Sequence, residues 1–579
     1  MNKSSKFIPT IIAVSVIIGI LIGTFYANRY SGNRLNIINT TSNKLNDLLY
    51  IIDDQYVDKV DISELVEQAM PNILSELDPH SSYISAKDAA SANDELKGSF
   101  SGIGVQFTIK DDTVHVNNVI KGGPSENVGI LPGDRIVSVD DKPFVGKEVT
   151  NEETMRRLKG PKGSKVKLGV KRHGEPKPIY FTVVRGDIPV YSVTSTYMLN
   201  PELGYIRIKN FGETTYAELL LALADLEYAG FKGLVVDLRG NTGGYLTAVI
   251  QMVNEFLPKN KLIVYTEGRK SRREDYRSDG RGAYQSLPII VLTDEITASA
   301  AEIFAGAIQD NDRGVIIGRR TFGKGLVQQP IEFNDGSLIH LTIARYYTPS
   351  GRCIQKPYTN GKGKDYEMDI LSRYEHGEFF NEDSIRQNGP VYHTGIGRVV
   401  YGGGGVMPDY FVAEDTTGYT AYFSQAVSSG LVAQFCFDYC DDNRQVLSQF
   451  TEGEDIAKYL KKQNTLEKFV HFADSKGLVR RNLMIIKSKE LFERAIYGNI
   501  IYTILDQNDY QMYMNQDDPT VLKAIEIYKQ GKTKPVLEKK DDAKEEKEED
   551  NRKVAKGSLP NRDARLSTPF YIASAKYLG

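Results

Sequence analysis

The chain has 579 residues, room for roughly three to four domains, with 41% hydrophobic and 25% charged residues, an ordinary globular composition. A net charge of −3 gives no basic field for nucleic acid, and three cysteines are too few for a disulfide framework or a four-cysteine zinc site. Cys436 and Cys440, at helical spacing in LVAQFCFDYC, read as core, the histidines form no metal motif, and no metal, nucleotide or organic cofactor is implied.

Lys3 and Lys6 precede an apolar run from Phe7 to Ala27, about long enough to cross a bilayer. Positive charge ahead of the run predicts residues 1–7 in the cytoplasm, a transmembrane signal anchor over 8–27 and everything after it outside. No A-x-A site follows, which favours an uncleaved anchor, and no cysteine is present for a lipid anchor. Residues 28–97 read as a helical region, with Leu45, Leu48, Leu49, Ile52, Leu65, Ala69, Ile73, Leu74 and Leu77 at three-to-four spacing. It closes on Asp78-Pro79-His80-Ser81, where His80 reads as a turn residue.

Residues 98–187 resemble a PDZ domain. Ser101, Gly102, Ile103, Gly104 and Val105 read as a glycine turn running into an alternating strand. Such a turn offers backbone N–H groups to a peptide's terminal carboxylate while the strand edge pairs with the peptide. Gly129-Ile-Leu-Pro-Gly-Asp-Arg-Ile136 and a helix over Asn151–Leu158 continue the signature.

From residue 188 the pattern alternates between strand and helix, which predicts a layered α/β domain to residue 412. A strand over Leu203–Phe211, a helix over Thr214–Tyr228 and a buried strand Gly233–Leu238 lead to Arg239-Gly-Asn-Thr-Gly-Gly244. Glycines at the end of a buried strand let backbone N–H groups point at a substrate oxygen. A second strand (Leu287–Leu292) and a helix (Ala298–Gln309) place Ser299 where the turn becomes the helix. The free N–H groups of a helix N-terminus stabilise an oxyanion there. Ser299-Ala-Ala-Glu302 also fits a capping box, which needs no catalysis. After the next strand Lys324 lies between two glycines; desolvated there, it would have a lowered pKa and serve as a general base. Gly318 with Gly323-Lys324 nearly matches a phosphate-binding loop, but Gly325 replaces the Ser/Thr and a strand follows. Asn241-Thr-Gly-Gly echoes chymotrypsin-like proteases, but lacks a nucleophilic serine and a suitable upstream histidine.

T-A-S-A-A-E (297–302), T-F-G-K-G-L-V-Q (321–328) and D-G-S-L-I-H-L-T-I-A-R-Y-Y (335–347) together resemble the carboxyl-terminal processing peptidase, or tail-specific protease, family. The resemblance covers roughly residues 40–412. It implies a Ser–Lys serine protease with a crotonase-like α/β core: Ser299 as nucleophile, Lys324 as base and Gln328 holding the base. One of Gly243 and Gly244, with Gly244 preferred, would form the oxyanion hole with Ala300. It departs from the family at Thr297 and Ala301, where serines are frequent. With the anchor, it implies a single-pass protein of the bacterial inner membrane with its catalytic part in the periplasm. Polypeptides with accessible C-termini are the implied substrates; an adaptor protein or homo-oligomer is left open. A catalytically silent PDZ scaffold is one rival, disfavoured because it needs none of Ser299, Lys324 and Gln328; a ligand-binding protein on the same fold is the other, and a co-purifying hydrophobic ligand would favour it.

Residues around Phe380–Asn388 read as a polar insertion, and Gly402–Gly405 as a tight turn. Apolar periodicity predicts a helical domain over 413–530, and 531–579 begins with an aromatic-free charged run expected to be disordered.

Overall fold

The computed structural model describes residues 34–92, 96–172, 174–385 and 389–537, with Val16 and Ile18. The expected span at 8–27 and the tail from 538 therefore lie outside the described residues, those two positions excepted. Among the described residues no helix is long and apolar enough to cross a membrane. The chain divides into two compact units, up to Leu77 and from Asp78 onward.

The first unit consists of helices Arg34–Gln55 and Ile62–Ser75. Asp61 caps the second by accepting from the Ser63 and Glu64 N–H groups. The expected helical region stops short of residue 97. Asp78-Pro79 breaks the helix, and Ser82–Ile84 is a strand paired antiparallel with 338–340 in the second unit's own sheet.

The peptidase-like core of the second unit is a six-stranded sheet ordered Val193–Asn200, Leu203–Ile208, Gly233–Asp237, Ile289–Thr293, Val315–Gly318, Tyr410–Phe411. The first pair is antiparallel and the rest parallel. Both faces are covered, so the inner strands read as continuous apolar runs rather than alternating ones. Ile206, Ile208, Leu234, Val236, Ile289, Val291 and Ile316 meet helices Thr215–Tyr228, Leu246–Asn254 and Ala300–Asp310. The residues between them, among them Tyr205, Val235, Ile290, Leu292 and Ile317, meet Val521, Ala524 and Ile527 of helix Pro519–Lys529. The chain's last described helix thus completes the core, and Asp518 at its N-cap pairs with Arg239 at 2.8 Å. A second sheet joins Ser82–Ile84, Leu338–Tyr347, Leu262–Glu267 and Glu274–Arg277, with Leu326–Glu332 on the long strand.

The PDZ-like region is a sheet ordered Val105–Lys110, Thr113–Val119, Arg135–Val139, Lys165–Lys171, Ile179–Val184, with helix Asn151–Leu158. Among the described residues Val105–Lys110 has one neighbouring strand, and its other edge carries no strand partner. Ser101 and Gly102 are not part of a turn: they pair with Asp187 and Gly186, closing the region's ends together.

Seven helices between Ala421 and Ile504 share one core around Phe435, Phe469, Phe492 and Ile496, with Cys436 and Cys440 buried in it. They do not stand apart. Lys110 bonds Asp438 at 2.6 Å, His115 packs edge-on against Phe437, Arg135 lies 3.9 Å from Asp441, and Tyr502 donates to Gln106 at 2.9 Å. This domain is docked on the outer face of the PDZ-like sheet. Over the expected polar insertion Phe380–Asp383 are exposed and Ile385 is buried; just ahead of it Phe379 is buried and Glu378 takes ion pairs from Arg320 and Arg373.

Candidate active site

After strand Ile289–Thr293 the chain turns on Asp294, whose Oδ1 accepts from the N–H groups of Ile296, Thr297 and Gly240. Thr297 Oγ1 donates to the Leu238 carbonyl at 2.9 Å, and the Ala298 N–H to the Asn241 carbonyl at 2.9 Å. The serine loop and the glycine loop are thereby one structure. Ser299 then takes φ 57° and ψ −119°, a conformation normally left to glycine that costs about 1–3 kcal/mol. A simple helix cap gains nothing from that strain. The capping-box arrangement is present, yet the Glu302 N–H goes to the Ser299 carbonyl at 2.9 Å and the hydroxyl makes no cap hydrogen bond.

Gly243 and Gly244 both have positive φ (110° and 142°) and differ in what their N–H groups do. The Gly243 N–H is taken by Asn241 Oδ1 at 2.8 Å. Phe211 donates to the Gly243 carbonyl at 2.9 Å and accepts from Tyr245 at 2.7 Å, a bridge that turns the Gly244 N–H away from the sheet. Among the described residues the N–H groups of Gly244 and of Ala300, first in the helix, have no partner. A Cβ on Gly243 would come within 2.7 Å of Ser299 Cβ and 3.0 Å of the Ala300 nitrogen, so this loop touches the serine directly.

The lysine loop is held to the serine by two clamps. Glu302, fully buried, accepts with Oε2 from the N–H groups of Ser299 (2.9 Å) and Lys324 (2.8 Å). Its Oε1 accepts from the Gly323 N–H (2.8 Å) and from Thr321 Oγ1 at 2.5 Å. On the other side the Tyr346 hydroxyl reaches the Ser299 carbonyl at 3.0 Å and the Lys324 carbonyl. Burial lowers the Lys324 pKa below the ordinary lysine value, opposed by the charges of Glu302 and Asp78. Burial raises Glu302 to about 7 against the pull of its donors.

Profiles of known families match along this chain: peptidase family S41 over residues 202–368, the PDZ domain over 101–193, and a family of unknown function (DUF8443) over 422–506. The chain is 38% identical over 318 residues to a carboxy-terminal-processing protease of Bartonella bacilliformis, covering 54% of this chain and 72% of that one. It is 37% identical over 344 residues to the carboxy-terminal processing protease CtpA of Bacillus subtilis, covering 58% and 73%. The chain belongs to the carboxy-terminal processing proteases of family S41. These are serine proteases, and the PDZ domain is part of this one. Among solved structures, a photosystem II D1 C-terminal processing protease aligns over 63% of this chain and 92% of its own, at 26% identity and a TM-score of 0.32.

Other expected residues of this protease fall as follows. Gln328 does not bond Lys324; its Nε2 donates to Thr342 Oγ1 at 3.2 Å. In the PDZ domain the N–H groups of Ile103 and Gly104 have no partner among the described residues, while their carbonyls accept from Ser125 and Ile120. Ser101 Oγ is buried without a hydrogen bond and Val105 opens the edge strand.

His80 lies in the turn after Asp78-Pro79, half-buried. Its Nε2 lies 2.9 Å from the Tyr366 hydroxyl, which also receives Gln355 Nε2 at 3.3 Å, and Gln355 Oε1 accepts from the Gly325 N–H at 2.8 Å. Burial, then the charge of Lys324, lower His80 to about 3, so it is a neutral imidazole beside the lysine loop. Its partner Tyr366 was not legible in the sequence, because the contact joins positions 286 apart in the chain. Among the described residues no group of three or more His, Cys, Asp or Glu is placed to hold a metal ion.

Proposed function

We propose that this carboxy-terminal processing protease is an endopeptidase working through a Ser299–Lys324 dyad. Its PDZ domain captures the substrate C-terminus by backbone N–H groups at Ile103 and Gly104, with the open edge of Val105–Lys110 pairing to the peptide. Neutral Lys324 takes the Ser299 proton as Oγ attacks the scissile carbonyl, the N–H groups of Gly244 and Ala300 receive the oxyanion, and water hydrolyses the acyl-enzyme. Gln328 supports the Lys324 amine. Gly243 shapes the loop and leaves oxyanion binding to its neighbour.

The observation that carries this reading is the pair of clamps, Glu302 and Tyr346, fixing Ser299 and Lys324 together beside two unpartnered N–H groups. A strained serine and a buried amine each cost stability, and a non-catalytic fold gains nothing by joining them.

Residues 8–27 anchor the chain in the inner membrane, with the catalytic part in the periplasm, by the positive charge ahead of the apolar run.

The test is mass spectrometry of products from unfolded proteins ending in apolar or charged residues, comparing wild type with Ser299→Ala and Lys324→Ala. Cleavage by wild type alone, faster on the apolar-ended substrate, is expected; cleavage surviving Ser299→Ala overturns the nucleophile. Protease shaving of intact spheroplasts tests the topology, and protection of the chain there sinks the periplasmic placement.

A further inference from the structure

Asp78 is a buried carboxylate outside the reacting groups, at the head of the turn that leads into Ser82–Ile84. Its Oδ1 accepts from the His80 and Ser81 N–H groups, both at 2.9 Å, and from Thr342 Oγ1 at 3.0 Å. Its Oδ2 accepts from Ser81 Oγ at 2.6 Å, and Ser81 Oγ accepts in turn from the Thr342 N–H at 3.1 Å. Thr342 Oγ1 is met on its other side by Gln328 Nε2 at 3.2 Å. The chain of contacts runs from Asp78 through Thr342 to Gln328.

Chemistry gives this chain a direction. Every hydrogen-bonding group facing the Asp78 oxygens is a donor, which suits an ionised carboxylate, an acceptor at both oxygens. The Thr342 hydroxyl therefore spends its single proton on Asp78. What remains is a lone pair, and only the amide NH2 of Gln328 can donate to it. The Gln328 amide is turned by this bond, leaving its Oε1 as the end without a partner among the described residues.

We propose that Asp78 is a positioning residue that acts through Thr342 to set the polarity of the Gln328 amide, so that Gln328 offers oxygen rather than NH2 to the Lys324 amine. The proposal rests on the reading of Lys324 as base and Gln328 as its support. A neutral amine has two N–H bonds and one lone pair. An acceptor oxygen engages an N–H and leaves the lone pair for the Ser299 proton; an NH2 in its place would occupy that lone pair. Once the proton has moved, the same oxygen stabilises the ammonium, where an NH2 would repel it. Asp78, Glu302, His80 and His340 all act electrostatically with Lys324, so the relay ends in the lysine's own surroundings. The short strand pairing of 82–84 with 338–340 brings the Asp78 turn to Thr342.

The experiment uses the full chain and an unfolded protein substrate, with kcat and KM measured across pH for wild type, Thr342→Val, Thr342→Ser, Asp78→Ala and Gln328→Ala. Thr342→Val keeps the side-chain shape but breaks the relay. It is expected to lower kcat by more than about tenfold with KM within about twofold. It is also expected to move the acid limb of kcat/KM to lower pH, because the ammonium loses its acceptor. Thr342→Ser restores both. Asp78→Ala, which leaves the Thr342 hydroxyl without its acceptor and free to donate to the Gln328 oxygen, behaves like Thr342→Val, and Thr342→Val adds nothing to Gln328→Ala. Should Gln328→Ala be impaired while Thr342→Val keeps wild-type kcat and acid limb, the relay is wrong. Equal loss in Thr342→Ser and Thr342→Val means packing, not hydrogen bonding, and also overturns it. Wild-type kcat in Gln328→Ala instead removes the reading on which the relay rests.

Discussion

Glu302→Gln separates activity from stability in a way the structure makes quantitative. The carboxylate accepts four hydrogen bonds, two at each oxygen, from Ser299, Lys324, Gly323 and Thr321. An amide has one acceptor atom. Its lower-cost placement keeps oxygen toward Ser299 and Lys324 and turns NH2 toward Thr321, whose hydroxyl can accept, and Gly323, whose N–H is orphaned. An orphaned buried donor costs about 1–3 kcal/mol. Against this stands the burial of a charge. Glu302 is raised from 4.5 to about 7, the net of burial and donors together. That rise is worth about 3 kcal/mol against the ionised fold. The sign follows: stability from this group is fully present below 4.5 and lost as pH rises through about 7. Glutamine should therefore make the fold more stable at pH 8 by the difference of the two, about 0–2 kcal/mol, roughly 0–8 °C in Tm at about 2–4 °C per kcal/mol for a core of this size. Activity should fall, because the lysine loop loses one of its ties; a misplacement of about 1 Å costs on the order of 100-fold. The assay is thermal unfolding at pH 5 and pH 8 alongside kcat/KM. A less stable variant at pH 8 refutes the charge argument, and undiminished kcat/KM refutes the clamp.

The remaining predictions concern the loops, the base and the docked domain. Gly243→Ala puts a Cβ 2.7 Å from Ser299 Cβ and should abolish labelling of the serine by a phosphonate probe while the protein stays folded; Gly244→Ala meets the Phe211 carbonyl at 2.3 Å and should be insoluble. Lys324→Met should lose the roughly 100- to 10,000-fold owed to a general base, and wild-type kcat/KM should rise with pH through a lysine pKa below its ordinary value. Asp438→Lys replaces the partner of Lys110 with a like charge and should expose the PDZ domain to limited trypsin digestion; an unchanged digestion pattern removes the docking argument. The direct pair, with side-chain exposures of 18% and 36%, is worth only about 0–1 kcal/mol, so the like-charge repulsion does most of this. His115, buried in the same seam and lowered to about 4, must charge in acid: its contribution is present above 6.5 and lost as pH falls through about 4. Circular dichroism with trypsin-resistant fragments measured after acid exposure should show the seam opening first.

The sequence by itself determined the local pieces. Short apolar runs such as 233–237 and 289–293 read as strands covered on both faces, and the serine, lysine and glycine motifs lie in loops beside such strands. Periodicity is a local property and survives without the fold. Three things needed the tertiary structure. That the Gly243 N–H is taken while the Gly244 N–H is left without a partner turns on which N–H Asn241 Oδ1 reaches, a local bond whose direction no pattern encodes. His80 and Asp78 enter the site only because 82–84 pairs with 338–340, a contact between distant segments. The C-terminal helices looked like a separate domain, yet Val521, Ala524 and Ile527 finish the peptidase core and Phe437 and Asp438 hold the PDZ domain. An apolar stripe on a helix says that something will cover it; which surface does so depends on the whole chain's packing.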